Sequence, residues 1–195
     1  MAGGSSDIIE ISDSDLIARC ALFPKFMQSG AFAPEAVVSP FSPMQFEDGT
    51  AGFALSVGVR PLLPTTEAAH DFGCRVAKVA NEDRAVREQR ELKRPDETVH
   101  YRGFYDLKVG DVSSVPSDHF DLGVVHHPEN GLQEHGHIEL RLKDPALSKT
   151  KQRTYRTGVI AQIAMLLLNP QEHICPCDED LREMLSAVNL PAPPF

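Results

Sequence analysis

The feature that most constrains this chain is a pair of strand patterns between residues 122 and 142, separated by a turn. The segment HIELRL (137–142) alternates apolar and polar residues, which is typical of a strand with one buried face. LGVVH (122–126) is short and β-branched, and PENGLQE between the two is rich in turn-forming residues. We therefore predict a β-hairpin, LGVVHH and HGHIELRL joined by a seven-residue loop, within an antiparallel sheet.

Helical patterns lie on both sides of this hairpin in the sequence. A helix is expected from about Asp13 to just before Pro24, with Ser12 and Asp15 as a capping pair. Further helices are expected from Thr65 or Thr66, over 151–168 and from 178, and further strands over 53–59 and 98–105. The mostly polar stretch 82–94 is either an exposed helix held by charge pairs or an ordered linker. This order of elements predicts an α+β fold with a small, largely antiparallel sheet flanked by helices.

The length and composition are those of one folded domain. The chain has 195 residues, of which 42% are hydrophobic, so it can build a core and is not disordered as a whole. We expect a mobile N-terminus at 1–6, a single α+β domain at 7–190 and an extended C-terminal tail at 191–195.

Charge and patterning exclude several classes of protein. The net charge of -9 gives no long-range attraction to nucleic acid, so nucleic acid is not expected as a partner. No apolar run is long enough to span a bilayer, and MAGGSSD lacks the features of a secretory signal. The spacing of the four cysteines shows no disulfide framework, so we interpret them as reduced thiols of a cytoplasmic protein.

Histidines are concentrated around the hairpin, where five of the eight lie between positions 119 and 137. Pairing His127 with His135 would set the register, and the period of two would then place four ligand-type residues on one face: His127, His135, His137 and Glu139. Three imidazoles could bind Zn2+ or another divalent metal that favours nitrogen, with His135 and Glu139 as catalytic residues and Glu134 as an alternative base. Alternatively, these residues form a functional site without metal, or the solvated side of an amphipathic strand.

The stretch VVHHPENGLQEHGHI resembles a pattern of assorted small, uncharacterised bacterial proteins. The residues that carry the resemblance are Val124, Val125, Pro128 and His135. The resemblance implies a bacterial protein but no activity. Since one histidine is usual in the pattern, it indicates His135 as the residue to test.

A second group of potential ligands lies near the C-terminus, in the segment HICPC (173–177). Its histidine and the thiols of Cys175 and Cys177 could hold zinc, but a closed site would need a fourth ligand from elsewhere. The alternative is a surface loop.

Two further segments carry weaker signals. Tyr101 and Arg102 could line a pocket for a phosphate or nucleotide, and core aromatics on a strand explain them equally well. DIIEISDSD (7–15) resembles a SUMO-interacting motif, and its alternative is an edge strand followed by a helix cap.

Two functional hypotheses follow. The first is a binding or accessory module that acts through a protein partner or a homo-oligomer. The second is a small metal-dependent hydrolase centred on His135, with Zn2+ as its cofactor. An enzyme should direct His135 into a pocket, whereas a binding module should carry its histidines on a convex, wet face.

Overall fold

The computed structural model describes residues 8–23, 27–28, 31–89, 98–129 and 131–175. Its strands are β1 (Leu16–Phe23), β2 (Met27–Gln28), β3 (Ala31–Phe32), β4 (Ser42–Gln45), β5 (Ala51–Val59), β6 (His100–Lys108), β7 (Phe120–His126), β8 (His135–Leu142) and β9 (Leu168–Glu172). Its helices are α1 (Pro34–Val38), α2 (Thr66–Glu88), α3 (Val109–Ser113) and α4 (Lys149–Ala164), and Arg60–Leu62 form a 3-10 turn. No helix in these ranges is both long and apolar enough to cross a membrane.

Seven of the strands form one antiparallel sheet in the order β7-β8-β5-β1-β6-β9, with β4 also paired to β5. β4 pairs with the first half of β5, and β1 pairs with its last residues. The short β2 and β3 pair with each other. The prediction of a single-domain α+β fold with an antiparallel sheet flanked by helices is confirmed.

The sheet buries apolar side chains on both faces, because helices cover each face. One face packs against α1, α3 and α4 through a core that includes Ile17, Leu55, Leu107, Ile138, Leu140, Val159 and Ile163. The other face packs against α2 through Ala18, Cys20, Ala69, Phe72, Tyr101 and Phe104. The histidine hairpin, β7 and β8, ends this layered core at one edge of the sheet.

Helix α2 begins and packs as its residues dictate. The Thr65 hydroxyl accepts a hydrogen bond from the backbone N–H of Ala68 at 3.0 Å, which confirms the predicted cap. Gly73 lets the helix approach β6 closely, since a Cβ at that position would lie only 2.1 Å from Cε2 of Tyr101. The helix is continuous to Glu88, so the stretch predicted over 82–94 is in part its last turns.

The helix predicted from about Asp13 is wrong, because Leu16–Phe23 form the strand β1. The capping pair exists, as the backbone N–H of Ser12 donates to Oδ2 of Asp15 at 2.7 Å, but it closes a turn that leads into the strand. β1 lies between β5 and β6 and is buried on both faces, so its burial is continuous and shows no helical period.

Other boundaries also differ from the sequence prediction. α4 ends at Ala164 rather than near 168, because Leu168–Glu172 leave the helix to pair with β6 as β9. Residues 8–12 form no strand. The predicted N-terminus at 1–6, the helix from 178 and the tail at 191–195 lie outside the described residues.

Candidate functional site

The hairpin has the register in which His127 is paired with His135. Val125 pairs with His137 and His126 with Gly136, and the backbone N–H of His127 donates to the carbonyl of His135 at 2.9 Å. β8 lies between β7 and β5, so His135 and His137 come from an interior strand of the sheet. The three histidines of the predicted face therefore do lie together.

This face is buried, and the alternative of a solvated polar face is wrong. His135 is 3% exposed and His137 is 6% exposed. The reason lies in the neighbouring strand, where Gly58 stands opposite His135. A Cβ at Gly58 would lie 2.7 Å from the ring of Phe72, so α2 covers the sheet directly beside His135.

Three side chains at the turn end of the hairpin form a set that could hold a metal ion. Glu129, His135 and His137 each offer one ligand atom, and these atoms all lie within 4.8 Å of one another. Nε2 of His135 and Oε1 of Glu129 are already 3.4 Å apart. Zn–N and Zn–O bonds of about 2.0 to 2.2 Å in a tetrahedral site require ligand atoms about 3.4 Å apart, so a modest contraction would complete this set.

Hydrogen bonding prepares His135 as a ligand. Its Nδ1 lies 2.8 Å from the carbonyl oxygen of His127, which can only accept, so we assign the proton to Nδ1. Nε2 then faces the Glu129 carboxylate. A backbone carbonyl that fixes the tautomer and the orientation of an imidazole is a frequent companion of metal-bound histidine.

His137 contributes a polar atom that the protein itself does not satisfy. Its Nδ1 is buried and has no hydrogen-bond partner among the described residues. A buried nitrogen without a partner costs free energy, of order 1–3 kcal/mol. A bound ion is one way to satisfy such a site.

The surroundings favour neutral imidazoles. Burial lowers the pKa of His137 to about 4, and the neighbouring His135 and His127 add to the effect. Burial also lowers the pKa of His135, although the carbonyl of His127 and the Glu129 carboxylate oppose it. The neutral form is the one that carries a lone pair for a metal.

His127 completes the cluster on its outer side. Its ring stacks on that of His137 with centroids 4.8 Å apart, while the ring of His135 meets His137 edge-on at 4.9 Å. His127 is half-buried, so an imidazole lies between the buried ligands and the surface.

The structure does not bring the predicted carboxylates into the ligand set. Glu139 is buried, but its Oε2 lies 2.8 Å from both Nε and Nη2 of Arg141. Glu134 forms an ion pair with Arg75 at 2.8 Å. The carboxylate that does join the histidines is Glu129, which the strand period could not reveal because it lies in the turn, paired in an isolated bridge with Leu132.

Two other histidines of the segment have structural roles. Nδ1 of His126 accepts from the backbone N–H of Ile9 at 3.0 Å, and its Nε2 donates to the carbonyl of Gln133 at 2.7 Å. His119 stacks on Tyr155 with ring centroids 3.6 Å apart. His126 lies on the opposite face from His135 and His137, as the register requires.

The cysteines do not match the sequence prediction of reduced thiols. Cys74 and Cys175 form a disulfide across 101 residues of sequence, with Cα atoms 6.2 Å apart. Cys175 is therefore not a free thiolate ligand in this state, and Cys177 lies outside the described residues. Cys20 is free and buried, and burial raises the pKa of its thiol to about 12.

The predicted pocket residues Tyr101 and Arg102 are both buried, and neither lines the cavity described below. Tyr101 lies in the core under α2, with its hydroxyl 2.8 Å from Nδ1 of His70. Nη2 of Arg102 lies 3.7 Å from Oε2 of Glu172 on β9.

A cavity of about 720 Å³ opens between β4, β5 and α4 and is lined by basic and apolar side chains. Its cations are Lys149, Arg153 and Arg156, all from α4. None of the clustered histidines lines it, so this cavity is not the pocket expected around His135.

The chain has no match among protein-family models, and none among the curated proteins or the solved structures with which it was compared.

Proposed function

We propose that the hairpin cluster binds a divalent transition metal, Zn2+ by ligand preference, and that the protein is a small metal-dependent hydrolase. The observation that carries the proposal is the convergence of Glu129, His135 and His137 within 4.8 Å. Two histidines and one glutamate form a ligand set that is known from catalytic zinc sites, in which a fourth position stays open for water.

Burial supports a specific site over a chance cluster. A carboxylate and two imidazoles in water need no mutual arrangement, but His135 and His137 are almost fully enclosed and must be satisfied there. The protein satisfies Nδ1 of His135 and leaves Nδ1 of His137 without a partner among the described residues. An ion would use both Nε2 of His135 and the Glu129 oxygen that faces it.

Each residue then has a defined role. Glu129, His135 and His137 are the ligands, and the carbonyl of His127 orients His135. A bound Zn2+ supplies a Lewis acid that lowers the pKa of coordinated water. The His127 ring, half-buried and stacked on His137, would be the proton acceptor for a water bound there.

Metal content is the first test. The protein is purified without an affinity tag, stripped with a chelator, reloaded with Zn2+ and measured by plasma mass spectrometry, with circular dichroism to verify folding. We expect about one ion per chain at this site in the wild type, and its loss in His135→Ala and His137→Ala. The matched control is His126→Ala, a histidine of the same hairpin on the opposite face, which should retain the ion.

The hydrolytic step is tested separately, with p-nitrophenyl acetate and bis(p-nitrophenyl) phosphate as probes. Turnover should disappear with chelator, return with Zn2+, and fall in His127→Ala without loss of bound metal. If the folded wild type and the hairpin variants hold the same amount of metal, the site itself is refuted. If the site holds metal but neither ester is cleaved, only the hydrolase assignment is refuted.

A protein partner, the other hypothesis from the sequence, is a second proposal that rests on a different surface. Met165 is 79% exposed and Leu168 is 44% exposed, and both lie where α4 leads into the outermost strand β9. Met165→Asp and Leu168→Asp should each abolish the complex that the wild-type protein forms with a protein partner in a pull-down. A complex that survives both changes would refute this surface as the interface.

A further inference from the structure

A second group of ligand-type side chains surrounds the disulfide. His70 and Cys74 lie one helical turn apart on α2, so they share a face of that helix. His173 and Cys175 lie two residues apart in the segment after β9, and such spacing places side chains on the same side of an extended chain. The disulfide joins the two cysteines, and each has a histidine as its neighbour.

The two histidines also contact each other, one from α2 and one from the segment after β9. The rings of His70 and His173 stack with centroids 4.2 Å apart and an angle of 14° between their planes. The backbone N–H of His173 donates to the carbonyl of Arg102 at 2.9 Å, which fixes this segment against β6. One sulfur and one imidazole of the helix therefore each contact their counterpart from a segment that is held by backbone hydrogen bonding.

We infer that reduction of the Cys74–Cys175 disulfide converts this cluster into a Cys2His2 metal site, with Zn2+ as the ion it is suited to hold. The HICPC segment supplies two ligands of this set, His173 and Cys175. Helix α2 supplies the other two, His70 and Cys74. The inference concerns a different site from the hairpin cluster and does not rest on the proposed function.

Metal binding requires the two sulfurs to separate and the two imidazole rings to turn. Zn–S bonds of about 2.3 Å in a tetrahedral site place two sulfurs about 3.8 Å apart, against about 2.05 Å in a disulfide, so the sulfurs must separate by about 1.7 Å. The stacked rings must also rotate until their lone pairs converge on the ion. Nδ1 of His70 lies 2.8 Å from the Tyr101 hydroxyl, and a proton on Nδ1 would leave Nε2 free to bind.

The chemistry balances with an ordinary reductant. A trialkylphosphine cleaves the S–S bond and becomes a phosphine oxide, while water supplies the oxygen and the two protons that the thiols receive. Zn2+ then displaces both thiol protons, and two thiolates with two neutral imidazoles neutralise its charge. In an oxidising compartment the disulfide links α2 to the segment that carries His173 and Cys175. In a reducing compartment the bound Zn2+ links the same two segments.

Cobalt(II) tests this inference, because a thiolate bound to cobalt gives a charge-transfer absorption band that histidine and carboxylate ligands do not. The protein is the His135→Ala/His137→Ala variant, in which the hairpin ligands are removed. It is titrated with Co2+ before and after treatment with tris(2-carboxyethyl)phosphine. We expect no thiolate band when the disulfide is intact, and about one Co2+ per chain with that band after reduction.

Variants identify the ligands. Cys74→Ser, Cys175→Ser and the double change His70→Ala/His173→Ala should each remove the band or weaken cobalt binding at least tenfold, with folding checked by circular dichroism. Cys20→Ala is the matched control, since Cys20 is a free thiol buried in the same apolar cluster as Cys175 but is not part of the proposed ligand set, and it should leave the band unchanged.

Three results would overturn the inference. The first is a reduced, folded protein that shows no thiolate band. The second is a band that survives His70→Ala/His173→Ala. The third is a band that is lost when Cys177 is replaced, because Cys177 would then be a ligand in place of a histidine. Each can occur whether or not the hairpin binds metal, so the two proposals fail separately.

Discussion

Replacement of Gly73 by alanine tests how closely α2 packs on the sheet. A Cβ at this position would lie 2.1, 2.4 and 2.5 Å from three ring atoms of Tyr101. Tyr101 is fully buried, so its ring cannot turn into solvent to make room. The helix or the ring must shift by more than 1 Å to restore van der Waals contact.

Two effects of opposite sign determine how much Gly73→Ala changes the free energy of unfolding. Alanine in the interior of a helix is favoured over glycine by about 0.5 to 1 kcal/mol, because the unfolded chain loses less freedom. Overpacking a well-filled core costs about 1 to 3 kcal/mol. The matched control is Gly158→Ala on α4, where a Cβ would have nothing within 4 Å, so only the favourable effect operates.

The assay is thermal or urea unfolding of both variants beside the wild type. We expect Gly158→Ala to raise the free energy of unfolding and Gly73→Ala to lie about 1 to 3 kcal/mol below it, which is about 2 to 12 °C in Tm for a chain of this size. In a Tyr101→Leu background, the penalty at Gly73 should shrink. If Gly73→Ala is as stable as Gly158→Ala, the close contact between α2 and β6 is refuted.

Two further predictions concern stability. Burial lowers the pKa of His70 to about 4, whereas histidines of the unfolded chain titrate near 6.5. Between these two pH values the unfolded chain therefore binds more protons than the folded protein. The free energy of unfolding should be at its full value above about pH 6.5 and fall as the pH drops towards 4. Melting of metal-free protein across this range checks it. His137, whose pKa burial also lowers to about 4, acts in the same direction, so His70→Gln should make the profile shallower without flattening it, and an unchanged profile would contradict the contribution of His70. Thr65→Ala should cost about 1 kcal/mol in urea unfolding by removing the cap of α2, whereas Thr157→Ala on the exposed face of α4 should cost less, and equal losses would contradict the role of the cap.

The hairpin could be predicted from the local sequence, whereas its register rested on the assumption that His127 pairs with His135. HIELRL alternates because one face of β8 must be apolar, and that pattern is local. Once His127 pairs with His135, the period of two fixes which histidines share a face, and the structure places them so. The start of α2 at Thr65 or Thr66 is also predictable, since a cap is an interaction within one turn of helix, and the structure has the cap at Thr65.

The surroundings of these elements depend on tertiary packing. β1 has a local capping signal, but pairing with β5 and β6 on its two sides outweighs it and makes a strand. The same packing turns a polar face into a buried cluster, because α2 lies over Gly58 beside His135.

The ligands that complete each cluster also come from the fold. Glu129 joins the histidines through the path of the turn, which has no period to read. Cys74 meets Cys175 across 101 residues. Strand period and caps act over a few residues and are written in the local sequence, whereas contacts between distant segments depend on how the layers stack, and the sequence pattern does not carry that information.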